Sequence, residues 1–190
     1  MERTSFEDEH FEKKDFTEAP LRKGEYDNCT FTGCNFSETD LTDVSFTECT
    51  FTGCNLSMAK LNKTSLKDVK FTDCKLLGLH FENCNDFLFE VAFDNCQLNL
   101  ASFYRRKLKK TRFKKCSLHE TDFTEADLTE ASFDGCDLAG ATFVQTNLEK
   151  ADFRAASHYL IDPAQNRIKK AKFSMPAVIG LLAAYDIVIE

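Results

Sequence analysis

The residues in this 190-residue chain best suited to chemistry are its nine cysteines: Cys29, Cys34, Cys49, Cys54, Cys74, Cys84, Cys96, Cys116 and Cys136. Thiolates bind metals and attack electrophiles. No two of these cysteines form a Cys-x-x-Cys pair, the spacing of zinc and redox sites. The four histidines, His10, His80, His119 and His158, are isolated in the sequence, so no short-spaced ligand pair arises. The expectation is that no metal or cofactor is bound. Gly33, Gly53, Gly135 and Gly140 sit at turn positions and form no phosphate loop. No local motif suggests a Ser-His-Asp or Cys-His arrangement. The reading is that the protein is not an enzyme.

Charge is a stronger signal. Residues 1–100 carry 10 Lys+Arg against 19 Asp+Glu, and residues 121–190 carry 6 against 11. Between them, residues 101–120 carry eight basic residues against the single acid Glu120. An acidic molecule, -7 overall, thus wears one basic belt of Arg105, Arg106, Lys107, Lys109, Lys110, Arg112, Lys114 and Lys115. The net charge disfavours direct binding to nucleic acid. The densest acidic run is Asp122, Glu125, Asp127, Glu130, Asp134 and Asp137, with no Lys or Arg among them. These six are the expected partner-binding surface.

What positions these groups is a repeat. Phe11, Phe31, Phe51 and Phe71 recur every twenty residues, and so do Phe93, Phe113, Phe133, Phe153 and Phe173 after one step of twenty-two. An apolar residue also recurs every five, as in Phe31, Phe36, Leu41, Phe46 and Phe51. Neither a 3.6-residue helix nor a two-residue strand keeps every fifth side chain on one buried line. Two residues before each large centre lies a small inward position, and all nine cysteines fall on it. They read as free thiols filling the core, and six of them, Cys34, Cys54, Cys74, Cys96, Cys116 and Cys136, stack in a single column up one face. Two inward side chains per five residues require a turn at each pentad. Four pentads per circuit give a four-sided coil whose stacked backbones pair in parallel, about 4.8 Å apart.

The register slips by two residues near 85–90, where Asp86 falls at a position due for an apolar centre. Phe87 or Leu88 is expected to fill it, the segment forming a small bulge. Arg106 occupies an inward position, which implies a distortion that lets it reach water or an acid.

The pentads of residues 4–156 closely resemble the pentapeptide-repeat family, with its A-(D/N)-L-x-x motif. Ala126-Asp127-Leu128-Thr129-Glu130 and Ala151-Asp152-Phe153 state that motif almost literally. The resemblance implies an all-β fold, a right-handed quadrilateral parallel β-helix solenoid. Two regions are expected: the repeat over 1–156, and an irregular last coil with a dimerisation module over 157–190. In the latter, Ser174 and Pro176 suit the start of a short helix over 175–184, followed by a strand Ile187-Val188-Ile189. Val178, Ile179, Leu181, Leu182, Ile187, Val188 and Ile189 are too apolar for one coil to cover, and are the expected homodimer interface.

The tail, from Ile161-Asp162-Pro163 through Arg167-Ile168-Lys169-Lys170 to Gly180-Leu181-Leu182, resembles the quinolone-resistance (Qnr-type) and microcin-immunity branch. That resemblance implies a tail-to-tail homodimer that mimics DNA, binds DNA gyrase or topoisomerase IV, and protects it from quinolone-like poisons. The chain lacks the long loops that interrupt the coils of many Qnr-type proteins. The alternative is a structural scaffold with another protein partner. With no stretch long enough to span a membrane and no apolar leader, the expected compartment is the cytoplasm.

Overall fold

In the computed structural model, which describes residues 4–185, 187 and 188, the chain winds into a four-sided solenoid. One face carries the parallel strands β1 (Ser5–Glu7), β3 (Glu25–Asp27), β5 (Ser45–Thr47) and β7 (Ser65–Lys67). Past the slip it continues as the bridged column Lys107–Asp127–Asn147–Arg167. The second face carries β2 (His10–Glu12), β4 (Thr30–Thr32), β6 (Thr50–Thr52), β8 (Val69–Thr72), β9 (Val91–Asp94), β10 (Arg112–Lys114) and β11 (Ser132–Asp134), all parallel. The third face is the column from Asp15 through Asn35 and Asn55 to Ser157, and the fourth runs through Asp40–Lys60 and His80–Ser102–Asp122–Thr142. Parallel pairing follows from the winding, because each face is revisited in the same direction once per circuit.

The core is the set of centres. Phe31 to Phe153 of the phenylalanine column are buried, and Phe11 and Phe173 close its ends partly exposed. Neighbouring rings stack at centroid distances such as 4.6 Å for Phe31–Phe51, 5.0 Å for Phe113–Phe133 and 5.5 Å for Phe153–Phe173. Stacking at coil spacing with nearly parallel planes is a favourable aromatic geometry. All nine cysteines are buried and free. The thiols of Cys29, Cys34, Cys49, Cys54, Cys74 and Cys96 donate to carbonyls of the preceding coil, as from Cys54 Sγ to Phe31 O at 3.3 Å and Cys96 Sγ to Phe71 O at 3.4 Å. Burial pushes the Cys49 and Cys84 thiols up to about 12, so they stay protonated at neutral pH.

The corners fall two residues after each centre, in the left-handed region, as at Glu38 (φ 58), Gly78 (φ 63) and Lys110 (φ 61). Non-glycine residues adopt it here at some cost, which the ladder and core on either side offset.

Two expectations are corrected. At the slip, neither Phe87 nor Leu88 enters the core; they are 66% and 64% exposed. Phe89 packs on the core in their place, its ring 6.4 Å from that of Phe81. At the C-terminus the expected helix over 175–184 is replaced by two short 3-10 turns, Ala177–Leu181 and Ala183–Tyr185. Ser174 does not cap with its side chain; its hydroxyl donates to Arg154 O. Gly180 lies so close to the last coil that a Cβ there would stand 2.0 Å from Tyr159 O, and its own carbonyl accepts from Ile161 N. Docking at one backbone point, next to the β-branched pair Val178-Ile179, outweighs the weak drive of so short a segment to form an α-helix. Ile187 and Val188 belong to no strand, and Ile189 lies outside the described residues.

Candidate interaction surfaces

The six carboxylates that form one run in the sequence do not form one surface. A circuit takes twenty residues, so a run from 122 to 137 rings the solenoid. Asp122 lies on the fourth face, Asp127 on the first, Asp134 in β11 on the second, and Asp137 on the third. Glu125 and Glu130 occupy corners, at φ 57 and φ 60.

Most of the six are already engaged. Arg105 holds Glu125, with Nε 2.7 Å from Oε2, and the Tyr104 hydroxyl donates to the same carboxylate at 3.1 Å. The Arg105 hydrogen bond, opposed by slight burial, keeps the Glu125 carboxyl below its ordinary range. Lys150 sits 2.9 Å from Glu130, and Lys109 sits 3.3 Å from Asp127. Asp122 and Asp127 also accept the backbone N–H two residues on, from Thr124 and Thr129, which ties these carboxylates to the coil. Asp134 makes no ion pair among the described residues.

Asp137 gathers two histidines that look isolated in the sequence. His119 Nε2 stands 2.9 Å from Oδ2, and His158 Nδ1 stands 2.7 Å from Oδ1. Burial acts to raise the Asp137 carboxyl, and the contacts from His119 and His158 outweigh it and hold it low. The signal was available in the spacing: His119 and His158 lie about one coil on either side of Asp137. His80 contacts Glu82 at 2.8 Å, and His10 bonds Thr30 at 2.7 Å. Among the described residues, no group of three or more His, Cys, Asp or Glu is arranged to hold a metal ion.

Arg106 is 3% exposed. In the regular coils, the N–H after each small inward position bonds a carbonyl of the coil before, as Gln97 N to Cys74 O and Asp127 N to Arg106 O. At the slip the equivalent acceptor, Cys84 O, takes Arg106 Nη1 at 3.1 Å, and Asn85 O takes Nη2 at 3.1 Å. The same guanidinium pairs with Asp86 and lies 4.1 Å over the Phe89 ring. The acid expected near Arg106 is therefore Asp86, displaced from the centre position by the slip.

Beside the slip, where the first and second faces meet, is a groove of about 610 Å³ lined by Asp68, Lys70, Phe89, Glu90, Val91, Ala92, Lys107, Lys109, Lys110, Thr111 and Arg112. Sequence reading marks the belt but not this concavity.

The C-terminal segment leaves an apolar patch. Ile179 is 48%, Leu182 39%, Ile187 55% and Val188 88% exposed, with Leu160 and Tyr185 nearby in the chain's last turns also exposed. Leu181 packs partly against the core, and Val178 is half-buried. No helix among the described residues is long and apolar enough to cross a membrane.

Models of the pentapeptide repeat match residues 2–60, 44–123 and 116–154, so that together they span the coils described above. The chain belongs to the pentapeptide-repeat family. No curated protein matches its sequence significantly. The solved structure of trypsin-treated QnrB1, a plasmid-mediated fluoroquinolone resistance protein, is similar over 98% of this chain and 100% of that one, with TM-score 0.57 and 16% identity. HetL, a pentapeptide repeat protein involved in heterocyst differentiation regulation from the cyanobacterium Nostoc sp. strain PCC 7120, is similar over 91% of this chain and 87% of that one. Its TM-score is 0.65 at 17% identity. At such identities the likeness is one of fold: this pentapeptide-repeat protein is a parallel β-solenoid of the same kind.

Proposed function

We propose that this pentapeptide-repeat protein is a non-catalytic interaction scaffold that works as a homodimer joined through its C-terminal segment. The observation that carries the dimer is the apolar patch of Ile179, Leu182, Ile187 and Val188, large side chains left in water at one end of a solenoid. A solenoid end needs a cap, and a second copy related by a two-fold axis covers both ends at once. Sedimentation at micromolar concentration tests this. A dimer is expected for the full chain and a monomer for Ile179→Glu/Leu182→Glu; a monomeric full chain overturns it.

The finer reading is that the dimer engages a type II topoisomerase as a DNA-shaped rod, as the fluoroquinolone-resistance role of QnrB1 suggests. Net charge of -7 on a rod supports it, since duplex affinity rests mainly on phosphate charge. The ring arrangement sharpens the reading. A saddle that grips two faces meets about half of the six carboxylates, and Asp122 and Asp134, which make no ion pair among the described residues, are the freest to contribute. Gyrase supercoiling with and without a quinolone is the test. Inhibition or protection by the wild type, lost in Asp122→Asn/Asp134→Asn, is expected. No effect of the wild type at micromolar concentration leaves the scaffold with a different protein partner.

A further inference from the structure

The basic belt separates in three dimensions into cations that are paired and cations that are not. Arg105, Lys109 and Lys114 hold Glu125, Asp127 and Asp94 at 2.7, 3.3 and 2.9 Å. Lys107, Lys110 and Arg112 make no ion pair among the described residues, and all three line the groove beside the slip. Lys70 joins them from two coils away, with Asp68 3.6 Å from it in an exposed pair.

The groove has a notch for a reason visible in the register. Lys70, Ala92 and Arg112 are consecutive partners on the second face. A methyl group thus separates two long cationic side chains whose backbones lie roughly 10 Å apart by coil spacing. Lys110 lines the groove from the corner, at φ 61, and Lys107 lines it from the first face. Five cations and two carboxylates, Asp68 and Glu90, line the groove, leaving it positive on a protein of net charge -7. A concave wall of one sign focuses the field on a small anion.

We propose that this groove binds a compact polyphosphate group, carried by a nucleotide or by an inorganic chain. Three of the four exposed belt cations without an ion pair among the described residues converge on this notch; the fourth, Lys115, sits at a separate corner, at φ 52, outside the groove, and Arg105 and Lys114 are already paired, so an extended acidic segment would find no continuous track. A polyphosphate places several charges within the span between Lys70 and Arg112, where Arg supplies a planar fork and Lys point charges. The one aromatic in the lining, Phe89, has its ring faced by the Arg106 guanidinium at 4.1 Å, so that face is closed to a base and the phosphates are the group the groove holds.

Calorimetric titration of the full chain with inorganic tripolyphosphate at moderate salt tests the proposal, with thermal unfolding of each variant checking its fold. Saturable one-to-one binding is expected. Lys110→Glu/Arg112→Glu should weaken it by about tenfold or more, and Ala92→Phe, which fills the notch without changing charge, should do the same. Lys114→Glu, outside the groove, should change it by less than about threefold. ATP and GTP binding like tripolyphosphate assigns the site to the phosphate chain alone; either binding about tenfold tighter assigns it to a nucleotide. No binding at millimolar tripolyphosphate overturns the proposal. So does an Ala92→Phe variant that binds like wild type, which would leave only diffuse charge, or a hexaglutamate peptide that binds as tightly.

Discussion

The regular coils and the slip solve the same problem with different parts. In a regular coil, such as that around Phe113, a large centre and a small inward residue fill the interior, and backbone donors find carbonyls one coil away or three residues back, as Leu118 N to Asp137 O and Thr111 N to Leu108 O. At the slip, two extra residues carry Phe87 and Leu88 outside, Phe89 takes the centre, and the side chain of Arg106 supplies donors to Cys84 O and Asn85 O. The lesson is that the ladder demands satisfied carbonyls more than it demands backbone donors. A guanidinium reaching inward serves when the backbone has shifted, provided an acid and a ring receive its charge. The disturbance also opens a strongly basic concavity on an acidic rod.

Substitutions can break this comparison at graded strengths. Phe113→Ala, in the middle of the ring column and stacked on Phe93 and Phe133 at 5.2 and 5.0 Å, should cost about 3–5 kcal/mol. Chemical denaturation measures it, and a midpoint equal to wild type would contradict the packing described. Arg106→Ala should cost less, about 2–4 kcal/mol, because it strips partners from two carbonyls while Asp86 remains free to turn to water. Arg106→Lys should recover only part of this, since an ammonium cannot span both carbonyls as a fork does.

The Asp137 contacts are a smaller effect with a pH signature. Its carboxyl is held below its ordinary value, so its contribution to stability is full above about pH 4 and fades as pH falls further. Asp137→Asn should therefore lower the unfolding free energy at pH 6 by under about 1 kcal/mol, as for an exposed ion pair, and leave it unchanged near pH 2, as chemical denaturation at the two pH values would show. The smallest effect is expected at the outer surface of the slip. Phe87→Ser should change stability by less than about 0.5 kcal/mol, because the ring is already in water. A loss comparable to Phe113→Ala would mean that Phe87, and not Phe89, fills the centre.

The sequence by itself determined the repeat, the parallel four-sided stack, the ring column and the inward thiols. Each follows from a local rule: the side chain that faces the core is set by its place in a five-residue turn, and that place can be counted. Arg106 and the slip were legible as an anomaly for the same reason. Which outward residues meet was decided by tertiary structure, because it depends on how the turns close into circuits. A sixteen-residue acidic run became a ring, two histidines far apart in sequence met at Asp137, and a continuous basic belt became a set of ion pairs beside a groove. The twenty-residue circuit contained part of that information, since neighbours across the ladder lie twenty apart. The slip erased the rest, because a two-residue insertion does not specify which of Phe87, Leu88 and Phe89 turns inward; packing against Phe81 and under Arg106 does. At the C-terminus the apolar pattern pointed to a helix, and a single close contact between Gly180 and Tyr159 fixed the 3-10 turns instead.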